Sequence, residues 1–239
     1  MSFSKYKKPI ILGVLFFLPV TFLLFLYPST HHYNPLEIVN ENVVELDDFI
    51  TEDGQKINLN DHITVLQFLG SHPDKQSIAT LNLKEMIYDK FKGFKRFQIV
   101  SLVANGNQQQ VTVLKKELCN YEFPEYWHFV YGDTNDIIKV FNSLKTELDL
   151  DAMQTTNHVF IIDKELNQRG RFDDREKYEI EKEAAVYGLD SYDCIEVAEL
   201  KNKMSEDLRI LFTEYRQKRK GNFDSTARRA QDINTDEKN

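Results

Sequence analysis

At 239 residues with 41% hydrophobic content, the chain is long enough for one domain with a real core plus additional segments, and it reads as folded rather than disordered. The formal net charge is −8, and the only charges in the first thirty residues are Lys5, Lys7 and Lys8, so the remainder is more acidic still. Such a surface argues against nucleic acid as a partner.

Residues 1–8 form a short basic N-terminus. From Pro9 to Tyr27 the chain reads "PIILGVLFFLPVTFLLFLY", an uncharged run whose helical length, at about 1.5 Å per residue, comes close to the ~30 Å hydrocarbon core of a bilayer. It is read as a single transmembrane anchor. The lysines before it predict a cytoplasmic N-terminus and place everything after Pro28 on the far side of the membrane. A cleaved signal peptide is the competing reading, but no A-x-A-like site follows in "YPSTHHYNP".

Residues 28–40 are read as a linker, and the partial alternation that follows, with a turn at Asp53-Gly54, predicts an N-terminal β-hairpin. "ITVLQFL" (Ile63 to Leu69) is a run of β-formers expected to be covered on both faces. Asp74 to Phe91 carries Leu83, Ile87 and Phe91 at helical spacing, and "FQIVSLV" (Phe97 to Val103) is a second buried strand. "NQQQVTVLKKELCNY" then predicts a helix, and "YWHFVYG" (Tyr126 to Gly132) a third strand. In "DTNDIIKVFNSLKTEL", Asp133 or Thr134 is a candidate N-cap, with Ile137, Phe141, Leu144 and Leu148 on one face. "HVFIIDKELNQRGRF" reads as strand, turn at Lys164 to Asn167, and returning strand; 173–190 reads as a charged loop. The last helix is expected from about Ile195 to Arg219, its stripe of Val197, Leu200, Met204, Leu208, Leu211 and Tyr215 being a packing face. The tail 220–239 has almost nothing apolar to bury and is expected to be disordered. This order predicts an α/β domain with helices covering a central sheet.

No P-loop, GxGxxG, GxSxG, HExxH or EF-hand pattern occurs, which leaves phosphate chemistry, serine hydrolysis and zinc proteolysis without support. Cys119 and Cys194 form no CxxC or metal-ligand spacing; outside the cytoplasm they either form one disulfide or remain two free thiols. Of six histidines, His31, His32, His62 and His128 are read as ordinary polar residues. His72, in the loop after the first buried strand, and His158, opening the strand of the last hairpin, are expected at one end of the sheet, where open α/β sheets bind ligands.

That order, the single anchor and the stretches "ITVLQFLGSHPDKQ", "WHFVYGD" and "TNHVFIID" resemble the Sco/SenC family. The resemblance runs from about Glu41 to Arg219 and includes the closing helix "VAELKNKMSEDLRILFTEYR". It implies a thioredoxin-like fold with a central mixed sheet flanked by helices in residues 41–219, following the anchor at 9–27. It also implies a place in the cell inner membrane with the C-terminal domain facing the periplasm, and a role in the copper centre of cytochrome c oxidase. An oxidase subunit or a copper chaperone is then the implied partner. The family's site has the form F-G-x-T-x-C-P-x-x-C plus a later histidine. Aligned on Pro73 and Asp74, His72 stands at the first cysteine, Gln76 at the second, and His158 at the histidine, although Phe68 to Pro73 is one residue shorter than the pattern.

Both redox sulfurs are therefore replaced. Disulfide exchange requires a thiolate, and neither imidazole nor carboxamide forms a sulfur–sulfur bond, so thiol oxidoreductase activity is not expected and the chain is not read as an enzyme. Copper remains open, because imidazole suits Cu(II): His72 and His158 are the candidate metal ligands, with water or Gln76 completing the shell.

Overall fold

The structure, a computed structural model, describes residues 12–22, 35–119 and 123–220. The chain divides after Asn34 into two compact units. In the first, residues 12–22 are helical with exposed apolar side chains such as Leu15 and Phe16. Among the described residues no helix is long and apolar enough to cross a membrane. The remainder of the span read as an anchor, 9–11 and 23–27, lies outside the described residues, as do 221–239 of the tail.

The second unit is built on seven strands: β1 (Glu37–Asn40), β2 (Ile63–Gly70), β3 (Phe97–Ala104), β4 (Trp127–Gly132), β5 (His158–Ile162), β6 (Gln168–Gly170) and β7 (Tyr192–Asp193). Their order is β1-β6-β5-β2-β3-β4, with β7 beside the first half of β5. β2 pairs in parallel with β3 and antiparallel with β5, and β5 pairs antiparallel with β6. This strand–helix–strand unit followed by an antiparallel hairpin and a helix is a thioredoxin-like arrangement. It is extended by a third parallel strand beyond β3 and by β1 beyond β6.

β2 and β3 are buried along their whole lengths because both faces of the sheet are covered, as their unbroken apolar runs require. On one face lie three helical segments. The first, α1, combines a 3-10 turn Pro73–Gln76, an α-helix Ser77–Leu83, a π turn Lys84–Tyr88 and a final turn Asp89–Phe91. The second is α2 (Gln108–Leu118). α3 (Thr134–Asn142) and residues 43–59 cover the other face, with Val43, Leu46, Phe49, Leu59, Ile137 and Phe141 in that core. A short helix α4 (Lys177–Glu181), closed by a Glu176–Glu179 capping box, follows β6. The last segment, α5, is a π turn Glu199–Met204 continuing as Ser205–Arg219; it packs Leu200, Met204, Leu208 and Leu211 beside Leu83 and Ile87 of α1 and Leu114 of α2.

The N-terminal hairpin predicted around Asp53-Gly54 does not form. The turn itself is present, with Gly54 at φ +75° and Thr51 N donating to Gln55 O at 2.9 Å, but its flanks find other partners. Ile50 bridges to Tyr131 of β4, while β1, inside the segment read as linker, pairs with β6. Burial of Leu46, Phe49 and Leu59 in the α3-side core outweighs the local turn signal.

Candidate functional site

The carboxyl ends of β2 and β3 meet two connections, the loop from Ser71 into α1 and the loop 151–156 that leads to β5. Between them sits Gly70, at φ +51° where the β2–β3 register shifts. A side chain there would collide with the Met153 carbonyl oxygen and lie 2.7 Å from the Gln154 carbonyl carbon. The close approach lets Ser71 N donate to Met153 O at 2.9 Å, and Thr156 N to Phe68 O at 3.3 Å.

Loop 151–156 is ordered by its own aspartate. Asp151 Oδ1 accepts from the backbone N–H groups of Met153 and Thr155, both at 2.8 Å, and Oδ2 accepts from the Thr155 hydroxyl at 2.9 Å. This is the local side-chain turn that Asp and Thr at i, i+4 support. Thr155 in turn accepts from Gln76 Nε2 at 3.1 Å, joining the loop to the first turn of α1. The Gln76 backbone carbonyl accepts from Thr80 Oγ1 (2.7 Å), Thr80 accepts from Gln67 Nε2 (3.1 Å), Gln67 Oε1 accepts from Ser101 (2.8 Å), and Ser101 accepts from Trp127 Nε1 (2.9 Å). One hydrogen-bonded chain thus runs from Trp127, through polar residues buried in β2, β3 and α1, to Asp151. It satisfies side chains that would each cost about 1–3 kcal/mol if left unpaired.

Burial opposes ionisation of Asp151, but the bonds from Thr155 and Met153 and the nearby His72 prevail and hold its carboxyl below the ordinary carboxylate range. A depressed folded-state pKa contributes stability that is complete above the unfolded-state value, about 4, and is lost as the pH falls through the folded one. We therefore expect amide exchange at Met153 and Thr155, corrected for intrinsic rates, to accelerate below about pH 4 while core amides stay protected. In Asp151→Asn the pH dependence should vanish; if both proteins respond alike to acid, Asp151 does not order the loop.

His72 stands at the N-cap position of α1 ahead of buried Pro73 without a capping bond from its side chain, its Nδ1 4.0 Å from Asp74 Oδ1. That carboxylate oxygen is buried without a hydrogen-bond partner. His158 opens β5, half-buried and paired with Asp193 of β7, its N–H donating to Thr156 Oγ1 at 3.2 Å. Val159 and Ile161 face the core beneath α1, so strand alternation puts His158 on the opposite face with Phe160 and Ile162. The two histidines therefore belong to the same end of the sheet, as expected, His72 at the entrance to α1 and His158 on the face of β5 away from α1. Among the described residues, no group of three or more His, Cys, Asp and Glu side chains is placed to hold a metal ion.

Both cysteines are free. Cys119 follows the last turn of α2, half-buried. Cys194 is close to the rim in the backbone: its N–H donates to Asn157 O at 2.9 Å. Its side chain is completely buried, and burial, reinforced by Asp193 and Glu199, pushes the thiol far above the ordinary range and keeps it protonated. Of the residues that build this end of the domain, Gly70, Thr80, Asp151 and Thr155 were not singled out by the sequence. Gln67 and Ser101, polar in otherwise apolar strands, were the visible signal.

No family model and no curated protein matches the chain. Among solved structures it is similar to BsSco, described as a member of the Sco family of cytochrome c oxidase assembly proteins with a disulfide switch. The identity is 15% over 74% of this chain and 97% of that one, with a TM-score of 0.45. It is also similar to copper-bound ScoI of Arabidopsis thaliana, at 19% identity over 67% of this chain and 94% of that one, TM-score 0.37. The soluble domain of Sco1 from Bacillus subtilis matches at 16% identity over 74% and 95% of the two chains, TM-score 0.38.

Proposed function

We propose that the chain is a membrane-anchored, Sco/SenC-like assembly or scaffolding factor that works without redox chemistry in the biogenesis of a respiratory copper centre, that of cytochrome c oxidase. The observation that carries this reading is the commitment of Gln76. The position that the sequence resemblance assigns to a reactive sulfur is occupied by an amide bonded to Thr155 and, through it, to Asp151. A rim held in this way offers a partner a preformed surface and no nucleophile. In this reading Pro9 to Tyr27 is the single-pass anchor in the inner membrane and the thioredoxin-like domain faces the periplasm.

Affinity capture from native envelopes tests it. The full chain and its His72→Ala/His158→Ala variant should both enrich an oxidase subunit or a copper chaperone over an unrelated domain carrying the same anchor. Equal recovery with the unrelated domain overturns the proposal.

A second reading, copper carriage through His72 and His158, is favoured by the unpartnered oxygen of Asp74 beside His72. It expects close to one Cu(II) per chain, lost in the double alanine variant. Unchanged copper affinity in that variant rejects it.

A further inference from the structure

At the end of the sheet opposite the loops lies a cavity of about 720 Å³ between the turn after α1, the β5–β6 turn and the last turns of α5. Its floor is aromatic. Phe94, 46% exposed, stacks on Phe212 with ring centroids 4.3 Å apart, and Tyr215 lies beside them under the ammonium of Lys164 at 5.1 Å. Its rim is cationic, with Lys95, Lys164, Arg216 and Arg219 all in the lining.

Of the two carboxylates in the same lining, Asp61 pairs with Arg96, whereas Glu165 accepts from the neutral Tyr215 hydroxyl and keeps its charge. None of the four cations forms an ion pair with a carboxylate of the described residues. Arg216 and Arg219 have a local explanation, since cations are favourable at a helix C-terminus. Lys95 and Lys164 do not, because they come from other chain segments. Burial first, then the charges of Arg96 and Arg219, lowers the Lys164 pKa against the opposing pull of Glu165. A chain of net charge −8 thus holds an unbalanced positive cluster over an open ring.

We propose that this cavity binds a phosphate-bearing ligand with a planar ring, of the nucleoside diphosphate class, its ring on Phe94 and its phosphates among Lys95, Lys164, Arg216 and Arg219. Three features select this class. The volume is in the range of small-ligand sites rather than of an extended peptide groove. Guanidinium groups suit phosphate oxygens, and four cations against the one charge of Glu165 leave a surplus that matches a ligand of about three negative charges. The exposed face of Phe94 offers stacking, which any base can use.

The test is calorimetric titration of the full chain in detergent with ADP at low salt, alongside inorganic phosphate and glycerol 1-phosphate, the latter a lipid-headgroup phosphate without a ring. We expect saturable binding of one ADP per chain, weakened roughly tenfold or more in each of Lys164→Ala, Arg219→Ala and Phe94→Ala. The ringless phosphates should bind more weakly than ADP. Arg219 and Phe94 are at the surface, so their variants keep the fold, and thermal unfolding of each verifies this. Absence of saturation up to about 10 mM ADP, a dissociation constant weaker than ordinary for such sites, overturns the proposal. So does unchanged binding in all three variants, or equal affinity for glycerol 1-phosphate.

Discussion

Arg169→Met should be among the most damaging single substitutions in the domain, lowering stability on the order of 3–5 kcal/mol. The guanidinium is almost wholly buried, as are both of its acidic partners. Nη1 donates to Asp163 Oδ2 at 2.9 Å, while Nη2 donates to Leu36 O at 2.7 Å and pairs with Glu214. One side chain therefore ties β6 to the end of β5, to the approach to β1, and to α5. Methionine fills similar space but leaves buried Asp163 without a counter-charge and Glu214 with Lys218 alone.

The destabilisation is measured as the difference from wild type in urea denaturation. Glu214→Leu combined with Arg169→Met should recover part of the loss, because it removes one of the two buried carboxylates that Arg169 balanced. A loss below about 1 kcal/mol, the worth of an exposed pair, would sink this account.

Gly70→Ala should cost about 2–5 kcal/mol, combining the penalty of a left-handed backbone with that of overpacking. The atoms it meets are backbone, from Met153 and Gln154, so no rotamer change relieves the collision. Relief comes only by moving loop 151–156 off the end of β2, which breaks the Ser71–Met153 bond and pulls Thr155 away from Gln76. The variant should show a lowered denaturation midpoint. It should also lose exchange protection at Ser71 and Thr156 beyond what the global loss explains, and an unchanged midpoint with intact protection would refute the steric argument.

The central strands were legible because "ITVLQFL" and "FQIVSLV" are contiguous β-formers, and α5 because its apolar stripe repeats over many turns. β1 and β7 were not: they are four and two residues long, and only their partners in β6 and β5 make them strands. The failed hairpin has the same cause, since Asp53-Gly54 is a sound local turn whose flanks are claimed by distant segments. The candidate site was half visible. The position of His72 after β2 followed from strand and loop order, whereas the bond between Gln76 and Thr155 spans 79 residues and has no local signature. His158 could be placed at the strand start, but its face depends on the register of Val159 opposite Gln67.

Amide, hydroxyl and indole donors alone link Trp127 to Asp151. Hydrogen bonds do not respond to electron supply, so this end of the domain keeps one geometry in reducing and oxidising surroundings alike. A thiol pair in the same place would report the redox poise of its compartment. Here the variable to which the loop answers is acidity, through the single carboxylate at the end of the chain.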